Sequence, residues 1–209
     1  MTRLTIFGAT GKTGRLLCEG ALSRGHTVTA FVRDPAKLGE LAERVDAVTG
    51  SLEDNEAIAR AMAGSQAVVS ALGTFDRKPN TVLSDGTRRI VRAMEANGGM
   101  RLVAITSLGC GSSRSQVNSR LMRLLIRTLA KEIWADKDRQ EEVIRASSLD
   151  YLIVRPGGLT DKQALGSWTE LREGQSHKGK QMIARADVAG YILERLGRGE
   201  LGREEVALF

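Results

Sequence analysis

Three glycines spaced three apart, Gly8, Gly11 and Gly14, lie in the run Gly8-Ala9-Thr10-Gly11-Lys12-Thr13-Gly14, directly after the apolar segment Leu4 to Phe7. That spacing suits a strand turning sharply into a helix around an anion. Gly8 permits the tight turn, Gly11 lets the backbone approach a pyrophosphate, and Gly14 lets the helix lie close on the strand, while the helix N-terminus faces the negative charge. Thr10, Lys12 and Thr13 belong to the same cradle, so the segment reads as a dinucleotide site. A triphosphate loop ending in Gly11-Lys12-Thr13 is excluded, because it needs glycine where the chain has Ile6.

Arg33 supplies the next chemical clue, at the tip of the second apolar run, His26 to Val32. A protein that binds the unphosphorylated dinucleotide places an acid there to hold the ribose 2′-hydroxyl. A forked guanidinium instead matches a 2′-phosphate, with Lys37 one helical turn further on, which selects NADP(H). A plain surface pair of cations is the alternative. Asp34, followed by Pro35, reads as a helix N-cap rather than a ribose ligand.

Elements that would position these residues alternate along the chain. Strands are expected over 4–7, 26–32, 45–49, 67–71, 102–106, 151–154 and 205–208, and helices over 13–24, 34–43, 54–62, 81–97 and 186–196. A long helical tract over 117–147 is expected to break near Trp134 to Asp136. Strands alternating with helices require right-handed crossovers and hence a doubly wound parallel sheet, which binds ligands beyond the carboxyl ends of its strands. No linker or repeat marks a boundary, so residues 1–209 read as one Rossmann domain with a loop-rich substrate cap around 157–180.

On these residues the chain resembles the atypical short-chain dehydrogenase/reductases of the NAD(P)H-binding, NmrA-like branch. The resemblance spans nearly the whole chain: the three glycines, Gly50-Ser51-Leu52-Glu53-Asp54, Ala71-Leu72-Gly73-Thr74, Thr106-Ser107 and Arg155-Pro156-Gly157. Leu72-Gly73-Thr74, Thr81-Val82, Ser84, Gly86, Ile90-Val91 and Ala93-Met94 are similar to the flavin reductase and biliverdin-IXβ reductase group within it. The resemblance implies that Gly8 to Gly14 hold the pyrophosphate and that Arg33 and Lys37 hold the 2′-phosphate. It also implies that Ser51 and Leu52 meet the adenine, that Ala71, Leu72 and Gly73 meet the adenosine, and that Ser107, Pro156, Gly157 and Gly158 border the nicotinamide. Of the family's Tyr-x-x-x-Lys pair, Lys137 is kept and the tyrosine is Ile133; the histidines expected near 137 and 158 are Lys137 and Gly158.

Without the phenol, alcohol-to-ketone chemistry and sugar epimerisation lose their proton donor. Hydride transfer to a flavin, quinone or similar conjugated acceptor survives, because stacking and positioning supply most of the acceleration. Ser107 would bond the carboxamide or acceptor, and Lys137 would order the nicotinamide ribose or steady negative charge; their structural alternatives are a turn cap and a surface lysine. Phe75, Leu108, Trp134 and Trp168 are candidates for an aromatic wall, and Cys110 reads as a packed thiol. The second class of function left open is a non-catalytic NADP(H)-binding redox sensor.

The 209 residues carry a net charge of +6, with 42% hydrophobic and 27% charged residues, which excludes intrinsic disorder. No apolar run approaches the ~18 residues of a membrane span. Two cysteines and two histidines leave no metal site expected. With no room for a leader before Leu4, a cytoplasmic protein is expected. From Ser112 to Lys131 the chain has five cations and no acid. Arg120, Arg123, Arg127 and Lys131 would form a helical stripe beside Leu121, Leu124, Leu125 and Leu129: a solvated face, a lip for an anionic acceptor, or a peripheral contact with anionic lipid. Nucleic acid is not expected as a partner, because no helix-turn-helix spacing, RNP motif or interleaved aromatic set accompanies the stripe.

Overall fold

Short apolar runs become strands here because helices cover them on both faces. The computed structural model describes residues 2–74, 76, 78–199 and 201–209. In chain order the elements are β1 (Arg3–Phe7), α1 (Lys12–Ser23), β2 (Thr27–Val32), a 3-10 segment (Pro35–Glu43), β3 (Asp46–Thr49), α2 (Asn55–Met62), β4 (Ala67–Ser70), α3 (Val82–Asn97) and β5 (Arg101–Ile105). A 3-10 turn (Gly111–Gln116), α4 (Arg120–Arg127), α5 (Lys131–Arg145), β6 (Tyr151–Pro156), β7 (Gly158–Thr160), β8 (Glu170–Leu171), β9 (Met182–Ala184), α6 (Arg185–Gly197) and β10 (Arg203–Leu208) follow.

The main sheet has the order β3-β2-β1-β4-β5-β6-β10-β8, and each pairing is parallel except that of β8 with β10. This is the doubly wound Rossmann sheet expected from the alternation. One face packs Leu4, Ile6 and Val69 on Leu17 and Ala21 of α1 and on Val188 and Ile192 of α6. The other packs Phe7, Val68 and Leu102 on Ile58, Ile90, Met94 and Ile144 from α2, α3 and α5. A smaller cluster of Leu108, Val117, Ile126, Leu171, Ala207 and Phe209, with Trp134 against it, ties α4 and the cap to the main sheet. Between β6 and α6 the chain is largely irregular, and β7 and β9 form a separate parallel pair there.

Two expectations about helices are corrected. The segment after Asp34 is 3-10 rather than α-helical, kinked at Gly39 with φ 58°. The tract over 117–147 does not break at Trp134 to Asp136, which lie within α5; it breaks between α4 and α5, at 128–130. Thr128 has left helical geometry (φ −120°, ψ −91°), and its Oγ1 donates back to the Leu124 carbonyl at 2.8 Å, the local competition that hydroxyl side chains offer a helix. The basic stripe is therefore divided, with Lys131 on α5.

Asp136, within the stretch where the break was expected, caps another helix. The N-terminus of α3 has no side-chain cap of its own. Asp136 accepts from Leu83 N at 2.8 Å, Ser84 N at 3.3 Å and Ser84 Oγ at 2.6 Å, satisfying donors that α3 leaves open.

Candidate active site

Backbone forms the first half of the site. Gly8 follows β1 at φ +82°, and a Cβ there would stand 2.6 Å from the Ala71 carbonyl oxygen at the end of β4. Gly11 N donates to Gly8 O at 3.0 Å. A Cβ on Gly14 would lie 2.1 Å from Gly8 O, so only glycine lets α1 begin this close to the strand. Gly11 is the N-cap of α1, with no side-chain cap and no acid in the first turn, which leaves the helix's first N–H groups available to an anion. Thr10 and Thr13 are half-buried beside this turn, and Lys12 is exposed. These features fit a dinucleotide pyrophosphate.

Neighbouring strand ends carry the other expected contacts. Arg33 is exposed just past β2. Asp34 is the N-cap the sequence suggested, its carboxylate accepting from Ala36 N at 3.1 Å, and Lys37 Nζ stands 3.8 Å from the same carboxylate. Arg15 was missed by sequence reasoning: α1 projects its guanidinium to the same corner, where it donates to the carbonyls of Lys37 and, at 2.9 Å, of Leu38. Spacing on α1 alone offers no sign of that reach. Ser51 Oγ is used locally, accepting from Glu53 N at 3.2 Å, while Leu52 packs over Gly86. Ala71 N donates to Phe7 O at 2.9 Å, which aligns Ala71, Leu72 and Gly73 beside the glycine turn.

The second half is a cleft of about 1180 Å³ beyond the ends of β5 and β6. Ser107, Leu108, Trp134, Pro156, Gly157 and Gly158 line it, with His177, Lys178, Lys180 and Arg185 from the cap side. Among the described residues no carboxylate lines it. The structure thus brings together Ser107 and Pro156 to Gly158; Gly8 to Gly14, Arg33, Lys37, Ser51, Leu52 and Ala71 to Gly73 lie outside this cleft, along the ends of β1 to β4. Trp134 Nε1 donates to Leu108 O at 3.0 Å, fixing the indole as a wall. Trp168 does not line the cleft but packs edge-on against Tyr191 at 5.5 Å. Phe75 lies outside the described residues.

Lys137 sits under the cleft rather than on its surface. Its side chain is buried, and Nζ donates to the Thr106 carbonyl at 3.2 Å. That carbonyl needs a donor because of the strand opposite. Thr106 N bonds Val154 O at 2.8 Å and Leu108 N bonds Pro156 O at 2.9 Å. The bond between them in a parallel ladder would run from residue 156 to Thr106 O, and Pro156 has no N–H. No carboxylate among the described residues pairs with Lys137: Asp136 is spent on α3 and Arg139, and Glu141 on Arg155, Arg145 and Thr106. Burial pushes the ammonium below the ordinary lysine value, against the opposing pull of Cys110, Glu141 and Asp136.

Neither Tyr151 nor Tyr191 lines the cleft. Tyr151 is buried in the core, and Tyr191 OH donates to Glu170 Oε2 at 2.6 Å, its phenol pushed up by burial and by that carboxylate. Cys110 is fully buried and its thiol is raised well above the ordinary value by burial, as suits a packed residue. His177 was not foreseen. The cap loop stacks it on Phe209 at 5.4 Å in the cleft wall, and Asn118 Nδ2 holds that loop through the carbonyls of His177 (3.1 Å) and Gly179 (2.8 Å). Asp161 joins the two halves of the site, accepting from Lys12 of the glycine turn and Arg185 of the cleft, each at 2.5 Å. The Lys12 hydrogen bond, with Arg185, holds its carboxyl below the usual range.

The NAD(P)H-binding family profile matches residues 8–198. An uncharacterized chloroplast protein of Arabidopsis thaliana is 31% identical over 93% of this chain and 71% of its own length. ChuY from Escherichia coli O157:H7, an anaerobillin reductase, is 29% identical, with a TM-score of 0.83 over 100% of this chain and 97% of its own. A short-chain dehydrogenase/reductase of Veillonella parvula in complex with NADP reaches a TM-score of 0.83 over 99% of this chain and 94% of its own, at 18% identity a likeness of fold. Among the described residues no helix is long and apolar enough to cross a membrane. With its glycine cradle and the cleft beside it, the chain belongs to the NAD(P)H-binding family and is an NAD(P)H-dependent oxidoreductase.

Proposed function

We propose that this protein uses NADPH to reduce a flavin, quinone or similar conjugated acceptor in the cytoplasm, with residues 157–180 as a substrate cap on a single dinucleotide-binding domain. The observation that carries this reading is the cleft: it adjoins the cradle, is walled by Trp134 and, among the described residues, is lined by three cations with neither an acid nor a tyrosine. The 29% identical anaerobillin reductase, which matches over the whole of this chain, supports it.

Gly8, Thr10, Gly11, Lys12, Thr13 and Gly14 would hold the pyrophosphate, Arg33 and Lys37 with Arg15 the 2′-phosphate, Ser51 and Leu52 the adenine, and Ala71 to Gly73 the adenosine. When bound, reduced nicotinamide supplies the hydride. Ser107 and Pro156 to Gly158 would border the nicotinamide where it faces the cleft, and Trp134 gives a planar acceptor a face to lie against. Lys137 fixes the Thr106 carbonyl, and so the residue next to Ser107, while holding positive charge beneath the site. Lys178, Lys180 and Arg185 favour an acceptor with anionic substituents. His177 is an acid–base group in the same wall.

A spectrophotometric assay of NADPH oxidation tests the proposal, with riboflavin, flavin mononucleotide, quinones, biliverdin and anaerobillin set against simple ketones. Turnover of at least one conjugated acceptor and none of the ketones is expected. Rapid reduction of a plain ketone contradicts the chemistry. Oxidation by no acceptor, with NADPH still bound, moves the reading to a redox sensor.

A further inference from the structure

We propose that α4 is a docking face for an anionic lipid bilayer. Of its eight residues only Ile126 is buried. Leu121 is 77% exposed and Leu124 59%, and Leu129, just beyond the helix, is 62% exposed. Leaving such side chains in water on an isolated surface helix wastes apolar area that a bilayer boundary would cover.

At 3.6 residues per turn, Leu124 stands near the centre of the outward face, directly opposite the buried Ile126 flank. Leu121 flanks it on one side, and Arg120, Arg123 and Arg127 on the other. These three arginines are exposed, and none enters an ion pair among the described residues, whereas Arg3, Arg88, Arg114 and Arg139 each hold an aspartate. The segment from Ser112 to Lys131 contains no acid to neutralise them. An apolar ridge beside a cationic ridge is the arrangement that lies in the plane of an anionic membrane, leucines below the headgroups and guanidinium groups among the phosphates.

Charge decides against the other occupants. A second copy apposed through this face would bring arginine ridges together with no acid between them, and a nucleic-acid duplex would leave the leucines in water. The arginines do not line the active-site cleft, but Ser119 at the N-cap of α4 and Met122 within it do. Met122 lies about 160° around the helix from Leu124, so a bilayer held by α4 would cover the side of the helix turned away from the cleft and leave the cleft lining free. The docking itself does not depend on which acceptor is reduced.

The test is sedimentation of the full chain with vesicles of phosphatidylcholine alone or mixed with phosphatidylglycerol. Binding to the anionic vesicles only, weakened by salt, is expected. Arg120→Gln/Arg123→Gln/Arg127→Gln should lower the partition coefficient about a hundredfold, roughly fivefold for each charge. Leu121→Ser/Leu124→Ser, which leaves the charge unchanged, should lower it about tenfold or more. Arg44→Gln/Arg60→Gln/Arg92→Gln, exposed residues elsewhere, removes the same charge and should leave it within about twofold. Circular dichroism confirms that each variant is folded. The proposal is overturned if the remote triple variant loses as much binding as the α4 triple, if the leucine variant binds like the parent, or if anionic vesicles bind no protein. It is equally overturned if the leucine variant instead abolishes a dimer, or if duplex DNA is retained through the arginines while vesicles are not.

Discussion

Replacing Lys137 by methionine keeps most of the unbranched stem and removes the charged end, which separates what the residue costs the fold from what it gives the site. Lys137 is a buried ammonium whose one hydrogen bond, 3.2 Å long, goes to the carbonyl that Pro156 leaves without a ladder partner. Losing that bond strands Thr106 O, at a cost of about 1–3 kcal/mol. Removing the ammonium also relieves its desolvation, several kcal/mol per ion for a buried charge without a carboxylate partner. Desolvation is the larger, so at neutral pH the variant should be more stable by about 1 kcal/mol, raising Tm by about 2–4 °C in a chain of this length. Reduction of the best acceptor should fall about tenfold in kcat, short of the hundredfold typical of losing a general acid. The pH dependence supplies a second reading. The folded-state lysine titrates below its ordinary 10.5, so between the two values the unfolded chain binds a proton that the fold rejects. The stability of the parent should therefore rise across that window as pH climbs toward 10.5, and the variant, lacking the rise, should lose its advantage there. Urea denaturation at neutral pH and near pH 10, beside steady-state kinetics, checks both. A variant destabilised by more than about 2 kcal/mol at neutral pH would refute the reasoning, because the hydrogen bond would then outweigh desolvation.

Other perturbations read other parts of the site. NADPH should bind at least about tenfold tighter than NADH, a difference of about 1.4 kcal/mol, and Arg33→Asp should abolish or reverse it; equal affinities in the parent by calorimetry refute the assignment of Arg33 to the 2′-phosphate. Gly14→Ala places a methyl 2.1 Å from Gly8 O, a backbone atom that cannot turn aside, so it should lose stability by about 1–3 kcal/mol and NADPH affinity by more than tenfold, both read by a thermal shift with and without cofactor. Glu141→Ala removes the buried carboxylate that binds Arg155 Nε at 2.9 Å, Arg145 at 2.7 Å and Thr106 Oγ1 at 2.7 Å, and should cost about 3–5 kcal/mol in urea denaturation. Ser107→Ala should lower kcat less than about a hundredfold and leave the fold intact, since its role is positioning.

How far the molecule was legible in its sequence follows how local each cause is. The glycine turn was legible because its reasons lie within one strand, one turn and one helix start, and the sheet because β4, Ala67–Ser70, and β6 are apolar enough to need cover on both faces. Arg15 and His177 were not, since each reaches its place through a loop or helix approach that spacing does not encode. The failure on α5 has a different origin. Asp136, Lys137, Gln140 and Glu141 look like a solvated stripe when charge alone is counted, and the structure buries all four. Each turns inward to meet a need created far away in the chain: the uncapped start of α3, the carbonyl facing Pro156, Thr87 Oγ1 at 3.0 Å from Gln140 Nε2, and the guanidinium of Arg155.

One of those needs could be inferred without coordinates. A proline in a central parallel strand removes a donor that the neighbouring strand's carbonyl requires, and a carbonyl at the sheet's active edge cannot be left bare without cost. β6 is such a strand, flanked by β5 and β10, and its proline is the residue that borders the cleft. A side chain with a long stem, reaching in from a helix that covers the sheet, can supply the missing hydrogen bond to β5. Among the basic residues of α5, Lys137 is the buried one that meets this demand, which gives it a structural reason in a chain that carries Ile133 four residues earlier. The lysine therefore marks the geometry of the β5–β6 edge in its own right, and its presence alone is no sign that alcohol dehydrogenation persists.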